Sequence, residues 1–421
     1  MKRQRPLVSL VLVLLFSLML LMALGHTLTA LTAPSELHVC HHGCPYASIQ
    51  AAVDAAASGD LIKIAGGVYT DVHARDPSPG ATTRVTQVVY ISKTLTLQGG
   101  YAPPDWSTAD PEANPTTLEA GGQGRGVVIT GDISPTLAGL VITGGDATGL
   151  GGDSSMWGQD AGGGIYVISA TVTLAHNRII SNVAEYGGGL YMSTGAGEVR
   201  ANTIVDNFAS AEGGGVGLHA STARLVDNTI RHNTSSWGGG LYLHESPALL
   251  DHNAIVGNAA TGRGGGALFL WWSDAVLRRN RMTGNTSPWE TNGGIHVFSS
   301  APILDNNVIA GNRSGGIRVE GTSQVEMRHN TIADNGADGV GLTLPPTLDR
   351  WGTPMYGAVT LTNTILVSHS VGISVTGGNT ATISGILWHG TPVTVSQSAT
   401  ATVALHQQRT GDPAFAPDGY H

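Results

Sequence analysis

Apolar and polar positions repeat in step along the chain between about residue 137 and about residue 340. Short segments such as "TVTL", Thr171–Leu174, alternate polar and apolar residues, which is the period of a β-strand. A recurring Asn-x-(Ile/Met)-x-x-Asn signature aligns these segments. Three positions before its first Asn stand Leu174, Val199, Leu225, Leu250, Leu277, Leu304 and Met327, and two positions after it stand Ile179, Ile204, Ile230, Ile255, Met282, Ile309, Ile332 and Ile365.

Glycine triplets keep step with this signature. Their first members are Gly162, Gly187, Gly213, Gly238 and Gly264, and each triplet precedes an apolar segment such as "GIYV". Each copy therefore predicts three short strands: the glycine-led strand, the "TVTL" strand and the "RII" strand. One copy cannot bury its apolar side alone, so successive copies must stack at about 4.8 Å. We predict an all-β chain, a single right-handed parallel β-helix with three parallel sheets.

The asparagines and glycines receive structural interpretations in this fold. A side-chain amide both donates and accepts, so each Asn can bond to its copies in the coils above and below, and it tolerates a left-handed turn. The predicted ladder consists of Asn177, Asn202, Asn228, Asn253, Asn280, Asn307 and Asn330. Glycine permits the sharp entry into the first strand and the close approach of coils, and only the first one or two of each triplet need positive φ.

Composition narrows the possible partners. Glycine makes up 59 of 421 residues, charged residues make up 12%, and the formal net charge is −9. Binding to nucleic acid requires many lysines and arginines to neutralise phosphates, so we expect no nucleic-acid partner.

The N-terminus carries an export pattern. Lys2, Arg3 and Arg5 precede an apolar run from Leu7 to Leu24. The run is long for a signal peptide, so residues 1–33 are either a cleaved signal or a membrane anchor. Both alternatives place the rest of the chain outside the cytoplasm, secreted or on the cell surface.

Two cysteines stand in "HVCHHGC". We predict a disulfide between Cys40 and Cys44, as expected for an exported protein. A metal site with the adjacent histidines is the alternative. The sequence offers no second half of such a ligand set, so we predict no metal site.

The N-terminal stretch "YASIQAAVDAAASGDLIKIAGGVYTD", Tyr46 to Asp71, resembles the opening of secreted β-helix proteins of the pectate-lyase-like superfamily, the pectin lyase fold. The resemblance implies an N-terminal cap with a short helix over residues 34–60. A β-helix over 61–421 follows, with regular coils to about 340 and C-terminal coils from 341 to 421. Members of the group continue beyond the stretch similar to "GDPAFAPDGYH", so a C-terminal truncation stays open.

The catalytic signatures of that superfamily are missing. The chain has no Asp-Asp pair with Gly-His-Gly and Arg-Ile-Lys, no Trp-x-Asp-His and no Asp-Pro-His. No catalytic residue therefore carries over from the resemblance, which implies the fold more strongly than any one activity.

The outward face of the first sheet is the expected site, because the enzymes of this superfamily bind sugar chains there. Counting from the glycines, one outward column contains Tyr166, Tyr191, Gly217, Tyr242, Leu268, His296, Arg318 and Gly341, and the next contains Ile168, Ser193, His219, His244, Leu270, Phe298 and Glu320. Tryptophans in the flanking loops border this face, and aromatic rings suit stacking on pyranose rings. The predicted sugar-binding residues are Trp237, Trp271, Trp272, Trp289, Tyr242 and His244, with loop packing and protein contact as alternatives.

Catalysis would need further groups on that face. We name Arg318, Glu290 and His296 as catalytic candidates. Arg318 would be the base for β-elimination from a uronic acid, with Ca²⁺ as a possible cofactor. Hydrolysis would need a pair of carboxylates, from Glu245, Asp274, Glu290 and Glu320.

Three functions remain open. The first is an exported, monomeric protein that binds a polysaccharide or cell-surface glycan, without assured catalysis. The second is a polysaccharide lyase or glycoside hydrolase. The third is a structural or adhesive surface rod.

Overall fold

A computed structural model describes residues 34–76, 85–152, 160–288, 293–336 and 340–415. The elements given below belong to one compact unit that begins at Glu36. The predicted site residues Trp289 and Glu290 lie outside the described residues, as does the proposed leader 1–33. Among the described residues, no helix has the length and apolar character needed to cross a bilayer.

The glycine-led segments form the first sheet. Its strands run parallel, apart from an antiparallel pairing of the first two. They are His73–Arg75, Val85–Ile91, Arg125–Thr130, Ile165–Ile168, Leu190–Ser193, Val216–His219, Leu241–His244, Leu268–Trp271, Ile295–Phe298, Ile317–Glu320, Val340–Leu344, Val371–Val375 and Val393–Gln397.

The "TVTL" segments form the second sheet, which is parallel throughout. Its strands are Glu36–Val39, Leu61–Ala65, Thr96–Tyr101, Thr136–Ala138, Thr171–Ala175, Ala196–Arg200, Thr222–Val226, Leu249–Asp251, Val276–Arg278, Ile303–Asp305, Gln324–Arg328, Ala358–Thr362, Thr380–His389 and Thr402–Thr410. Because Glu36–Val39 pairs with Leu61–Ala65, the stacked strands begin within the segment assigned to the cap.

The "RII" segments form the third sheet. Its strands are Gly67–Tyr69, Thr116–Glu119, Leu140–Thr143, Arg178–Ile180, Thr203–Val205, Thr229–Arg231, Ala254–Val256, Arg281–Thr283, Val308–Ala310, Thr331–Ala333 and Ile365–Val367. The long strand Thr380–His389 pairs with strands of both the second and the third sheet and so joins the two at the C-terminal end. The fold is the predicted parallel β-helix of stacked coils.

A fourth, short parallel sheet lies between the third sheet and the glycines. Its strands are Val183–Tyr186, Phe208–Glu212, Thr234–Ser235 and Ala259–Ala260. The three strands predicted for each copy did not include this one. An antiparallel hairpin also leaves the coils, formed by Thr347–Leu348 and Pro354–Met355.

Aliphatic side chains from successive coils fill the lumen. Leu174, Val199 and Leu225 are in register, and Ile179, Ile204 and Ile230 form a second stack; all six are fully buried. The last member of the second column was misassigned. Ile365 pairs with Thr331 and points outward, whereas Leu366 pairs with Ile332 and is fully buried.

The asparagines form two ladders. In the first, the Oδ1 of Asn202 accepts from the backbone N and Nδ2 of Asn177, at 2.9 and 3.1 Å, and this pattern continues to Asn330. The second ladder uses the second Asn of each signature: Asn182, Asn207, Asn233, Asn258, Asn285, Asn312 and Asn335. The left-handed φ falls on the residue before each Asn, such as Asp227 or His232, rather than on the Asn itself.

Glycines within one triplet are needed for two different geometric reasons. Gly187 has a φ of +61°, the left-handed conformation that glycine favours. Gly189 instead lies where a Cβ would stand 2.6 Å from the carbonyl oxygen of Gly215 in the next coil. The triplet is therefore required both by the turn and by the close approach of coils.

The N-terminal end of the lumen is covered by a helix, Ile49–Ala55. Ser48 caps its first turn, and its buried face contains Ile49, Ala52 and Val53. Gln50 reaches the edge of the first sheet, where its Oε1 accepts from the N of Tyr90 at 2.7 Å. Beside this helix, Cys40 and Cys44 form a disulfide.

Candidate functional site

The outward face of the first sheet differs from its predicted composition in two coils. Phe269, not Leu268, is in register with Tyr242 and His296, and Trp271, not Leu270, is in register with His244 and Phe298. Leu268 and Leu270 are fully buried in the lumen. Ala267 occupies the place that the third glycine has in the preceding coils, so counting from the glycines misplaces this strand by one residue.

The same face ends differently as well. Arg318 pairs with Thr343, so Thr343 takes the outward place that was assigned to Gly341.

Five rings form a continuous layer on this face, which we call the aromatic layer: Trp237, Phe269, Trp271, Trp272 and Phe298. The centroid of Trp271 lies 5.7 Å from Trp237, 5.4 Å from Trp272 and 6.1 Å from Phe298. Trp272 is 52% exposed, and Trp237, Trp271 and Phe298 are half-buried. Such partly exposed rings offer apolar faces to a ligand.

A polar network adjoins the aromatic layer. The ring of His296 stacks on Phe269 at 4.6 Å, and its Nε2 lies 2.6 Å from Oε2 of Glu320. The guanidinium of Arg318 donates to Oε1 of the same carboxylate at 2.6 Å. Burial alone would raise the pKa of Glu320, but the hydrogen bonds from His296 and Arg318 outweigh it and lower the pKa to about 2. Glu320 is therefore an anion at neutral pH.

Both ring nitrogens of His296 face oxygen acceptors. Nδ1 lies 3.2 Å from the carbonyl oxygen of Arg263, opposite the contact of Nε2 with Glu320. Both ring nitrogens of His296 are therefore engaged within the protein.

A cleft of about 300 Å³ adjoins the aromatic layer and the polar network. Its lining includes Trp237, Trp271 and Phe298 from the aromatic layer and His296 and Glu320 from the polar network. Thr347 and Leu348, from the hairpin, also line it. The volume is at the lower end of those found for small-ligand pockets.

Two predicted binding residues lie deeper than expected. Tyr242 is 2% exposed and packs edge-on against Phe269 at 5.4 Å, so it supports the aromatic layer from below and does not reach solvent. His244 is half-buried between His219 and the rings of Trp271 and Trp272. Burial lowers the pKa of His244, and the neighbouring His219 adds to this effect.

A buried carboxyl lies on the same face, towards the N-terminal coils. Burial raises the pKa of Glu212 to about 7, and the neighbouring Tyr242 hydroxyl opposes only part of that rise. Glu212 was not among the carboxylates singled out from the sequence.

The cleft does not suit a calcium ion. Ca²⁺ takes six to eight oxygen ligands, usually including several carboxylates. The carboxylate that the structure describes in the cleft lining, Glu320, already has both oxygens engaged, one with His296 and the other in an ion pair with Arg318. Among the described residues, no group of three His, Cys, Asp or Glu side chains is arranged to hold a metal.

The stacked coils and the glycine and asparagine repeats define a class, the right-handed parallel β-helices. The family described as "Right handed beta helix region" matches this sequence over residues 120–286 and, in a second overlapping match, over 214–387. The chain belongs to this family.

Solved structures of the same fold include a periplasmic alginate epimerase, at 15% identity with a TM-score of 0.41, covering 84% of this chain and 71% of that one. The A-module of a mannuronan C-5 epimerase from Azotobacter vinelandii is 16% identical with a TM-score of 0.36, covering 86% and 95%. A pectate lyase is 12% identical with a TM-score of 0.36, covering 88% and 79%. At this level the likeness concerns the fold alone. No match was found among curated proteins.

Proposed function

We propose that this protein is exported and binds a polysaccharide or cell-surface glycan in the cleft on the outward face of its first sheet. The observation that carries the proposal is the aromatic layer, in which Trp237, Trp271, Trp272 and Phe298 present partly exposed rings side by side. Sugar rings have apolar C–H faces that stack on such partly exposed aromatic surfaces.

The polar network suits the hydroxyl groups of the same ligand. Glu320 is a fixed anion that can accept hydrogen bonds, and Arg318 and Arg263 provide donors and positive charge beside it. Because the network is half-buried and already ordered, little side-chain freedom is lost when it binds a ligand.

The geometry favours binding without turnover. A carboxyl with a pKa of about 2 is a weak base, and hydrolysis needs a second carboxylate across the scissile bond. Arg318, the candidate base for elimination, is ion-paired to Glu320, and arginine holds its proton at any ordinary pH. A lyase or hydrolase remains the second candidate, since Glu290 was named for it and lies outside the described residues.

Export is proposed from the N-terminal sequence. Lys2, Arg3 and Arg5 before the apolar run predict a signal or an anchor, and the Cys40–Cys44 disulfide suits an oxidising compartment. Cell fractionation followed by N-terminal sequencing would decide between cleavage and anchoring, and recovery of the uncleaved chain in the cytoplasm would contradict both.

Binding and turnover are tested together on a panel of uronate polymers and neutral glycans, with and without Ca²⁺. Affinity electrophoresis measures retention, while unsaturated products and reducing ends report lyase and hydrolase activity. We expect retention on at least one polymer and no products. The double variant Trp271→Ala with Trp272→Ala should lose at least about tenfold in affinity, equivalent to about 1.4 kcal/mol.

The matched control is Phe208→Ala, which removes a 43% exposed ring from the fourth sheet, outside the cleft lining. It should leave retention unchanged. If no polymer is retained, the chain is better described as a structural rod. Retention that neither variant weakens would overturn the aromatic layer as the binding site. Products that disappear in Glu320→Gln would support the enzyme instead.

A further inference from the structure

The hairpin formed by Thr347–Leu348 and Pro354–Met355, which we call the hairpin arm, interrupts the regular winding of the coils. It leaves the first sheet after Val340–Leu344 and returns at the second-sheet strand Ala358–Thr362. The coils before it make the same crossing in a few residues, for example between Glu320 and Gln324. The arm is therefore an insertion that the solenoid does not need for its own stacking.

The arm carries large apolar side chains in water. Leu348 is 60% exposed, Trp351 is 74% exposed and Tyr356, which follows the second strand, is 52% exposed. Exposed side chains of this size, close together on one element, mark an interaction site more often than chance.

The tip of the arm is ordered, so it presents Trp351 in a defined place. The carboxylate of Asp349 accepts from the backbone N of Trp351 and of Thr353, both at 2.8 Å. The guanidinium of Arg350 lies 4.0 Å from the centroid of the Trp351 ring. Neither contact buries the tryptophan.

The base of the arm is continuous with the cleft. Thr347 and Leu348 line the cleft together with Trp237 and Trp271. The strand of Trp271 and the strand before the arm are three pairings apart in the first sheet, which is about 14 Å at the usual interstrand distance. A ligand that runs along the solenoid axis from the aromatic layer towards the C-terminal coils would therefore pass the arm.

We propose that the hairpin arm is a second binding wall for a glycan chain too long for the cleft alone, with Leu348 at the cleft and Trp351 beyond it. This inference rests on the proposed function, since it assigns the same ligand class to the arm. It predicts a protein that prefers long chains over short ones, and it makes Trp351 a determinant of that preference.

The test compares a short and a long oligosaccharide of whichever polymer the wild type retains. Isothermal titration calorimetry measures the affinity of each oligosaccharide for the wild type, for Trp351→Ala and for the control Phe208→Ala. We expect the wild type to bind the long oligosaccharide at least about tenfold more tightly than the short one. Trp351→Ala should abolish this preference and leave the affinity for the short ligand unchanged.

The outcomes separate the two proposals. If the wild type binds both lengths and Trp351→Ala has no effect, or weakens both equally, the arm is not a second wall, while the cleft still binds glycan. If the wild type binds neither length, both proposals fail. If Trp351→Ala instead changes the sedimentation coefficient, the arm mediates contact between copies of the chain, and the glycan assignment is overturned.

Discussion

Asn233 offers a strong test of the ladder, because its side chain joins three successive coils. Its Oδ1 accepts from the backbone N and the Nδ2 of Asn207, at 3.0 and 2.9 Å. Its Nδ2 donates to the carbonyl oxygen of Ile204 and to Oδ1 of Asn258, both at 3.0 Å. All of these groups are buried.

Asn233→Ala removes all four hydrogen bonds at once. The backbone N–H of Asn207 loses its acceptor inside the protein, at a cost of about 1–3 kcal/mol, and the three groups that keep another partner lose about 0.5–1 kcal/mol each. We therefore expect a loss of about 2.5–6 kcal/mol in the free energy of unfolding. The exposed neighbour Arg231, changed to Ala, should lose less than about 0.5 kcal/mol.

The assay is equilibrium unfolding in guanidinium chloride, followed by tryptophan fluorescence, with hydrogen exchange measured by mass spectrometry. Exchange should accelerate in the coils around Asn207 and Asn258 first, because each coil is stabilised mainly by its neighbours. An unfolding free energy for Asn233→Ala within 1 kcal/mol of that for Arg231→Ala would refute the ladder as a source of stability, because it would mean that water replaces the lost bonds without penalty.

Three further predictions concern titration and coil packing. His369 ends the second ladder, and burial lowers its pKa to about 4, below the unfolded value of 6.5. Stability should therefore fall as the pH drops from 6.5 towards 4, by up to about 3 kcal/mol. His369→Asn should flatten this dependence in urea unfolding curves. Glu212 should give the opposite pH dependence of stability, because its folded pKa of about 7 lies above the unfolded value of 4.5. Glu212→Gln should stabilise the protein by about 1–3 kcal/mol at pH 8 but not at pH 4. Equal melting temperatures of this variant and the wild type at pH 8 would contradict the expectation. Gly189→Ala should cost more than about 2 kcal/mol because its Cβ would meet the Gly215 carbonyl oxygen at 2.6 Å. Gly411→Ala should cost less, because its Cβ would meet only Leu387 Cδ1, at 3.9 Å. Equal thermal shifts for the two variants would show that coil spacing adjusts freely.

The fold could be predicted because each coil repeats the same constraints. The columns that begin at Leu174 and Ile179 have the period of strands within a coil and recur between coils, and only stacking buries both. The predicted positions of side chains were wrong in two coils that depart from the repeat. Ala267 displaces one strand by a residue, and Leu366 rather than Ile365 fills the lumen.

The polar groups were harder to predict. The sequence predicts the asparagines as ladder residues, but a second kind of ladder, made of serines, was not predicted. In this row the hydroxyl of Ser246 accepts from the backbone N of Ser221, and the pattern continues through Ser273, Ser300 and Ser323. Serine occurs throughout the chain, so its recurrence at one position of successive coils does not stand out in the sequence.

The sequence indicated which aromatic residues share a face, but not the contacts of the polar groups beside them. Tryptophan spacing indicated the face, and three of those tryptophans lie in the aromatic layer. The contacts of Glu320 with His296 and Arg318 depend on side-chain reach across coils, which spacing does not encode. The hairpin arm was not predicted, because an insertion has no counterpart in the other copies of the repeat.

A crystal structure of the protein with the oligosaccharide that it binds most tightly tests the central claim most directly. The account predicts a sugar ring in contact, within about 4.5 Å, with Trp271 or Trp272, and its hydroxyl groups hydrogen-bonded to Glu320 or Arg318. Sugar bound on the second or third sheet, with the aromatic layer still exposed to solvent, would contradict it.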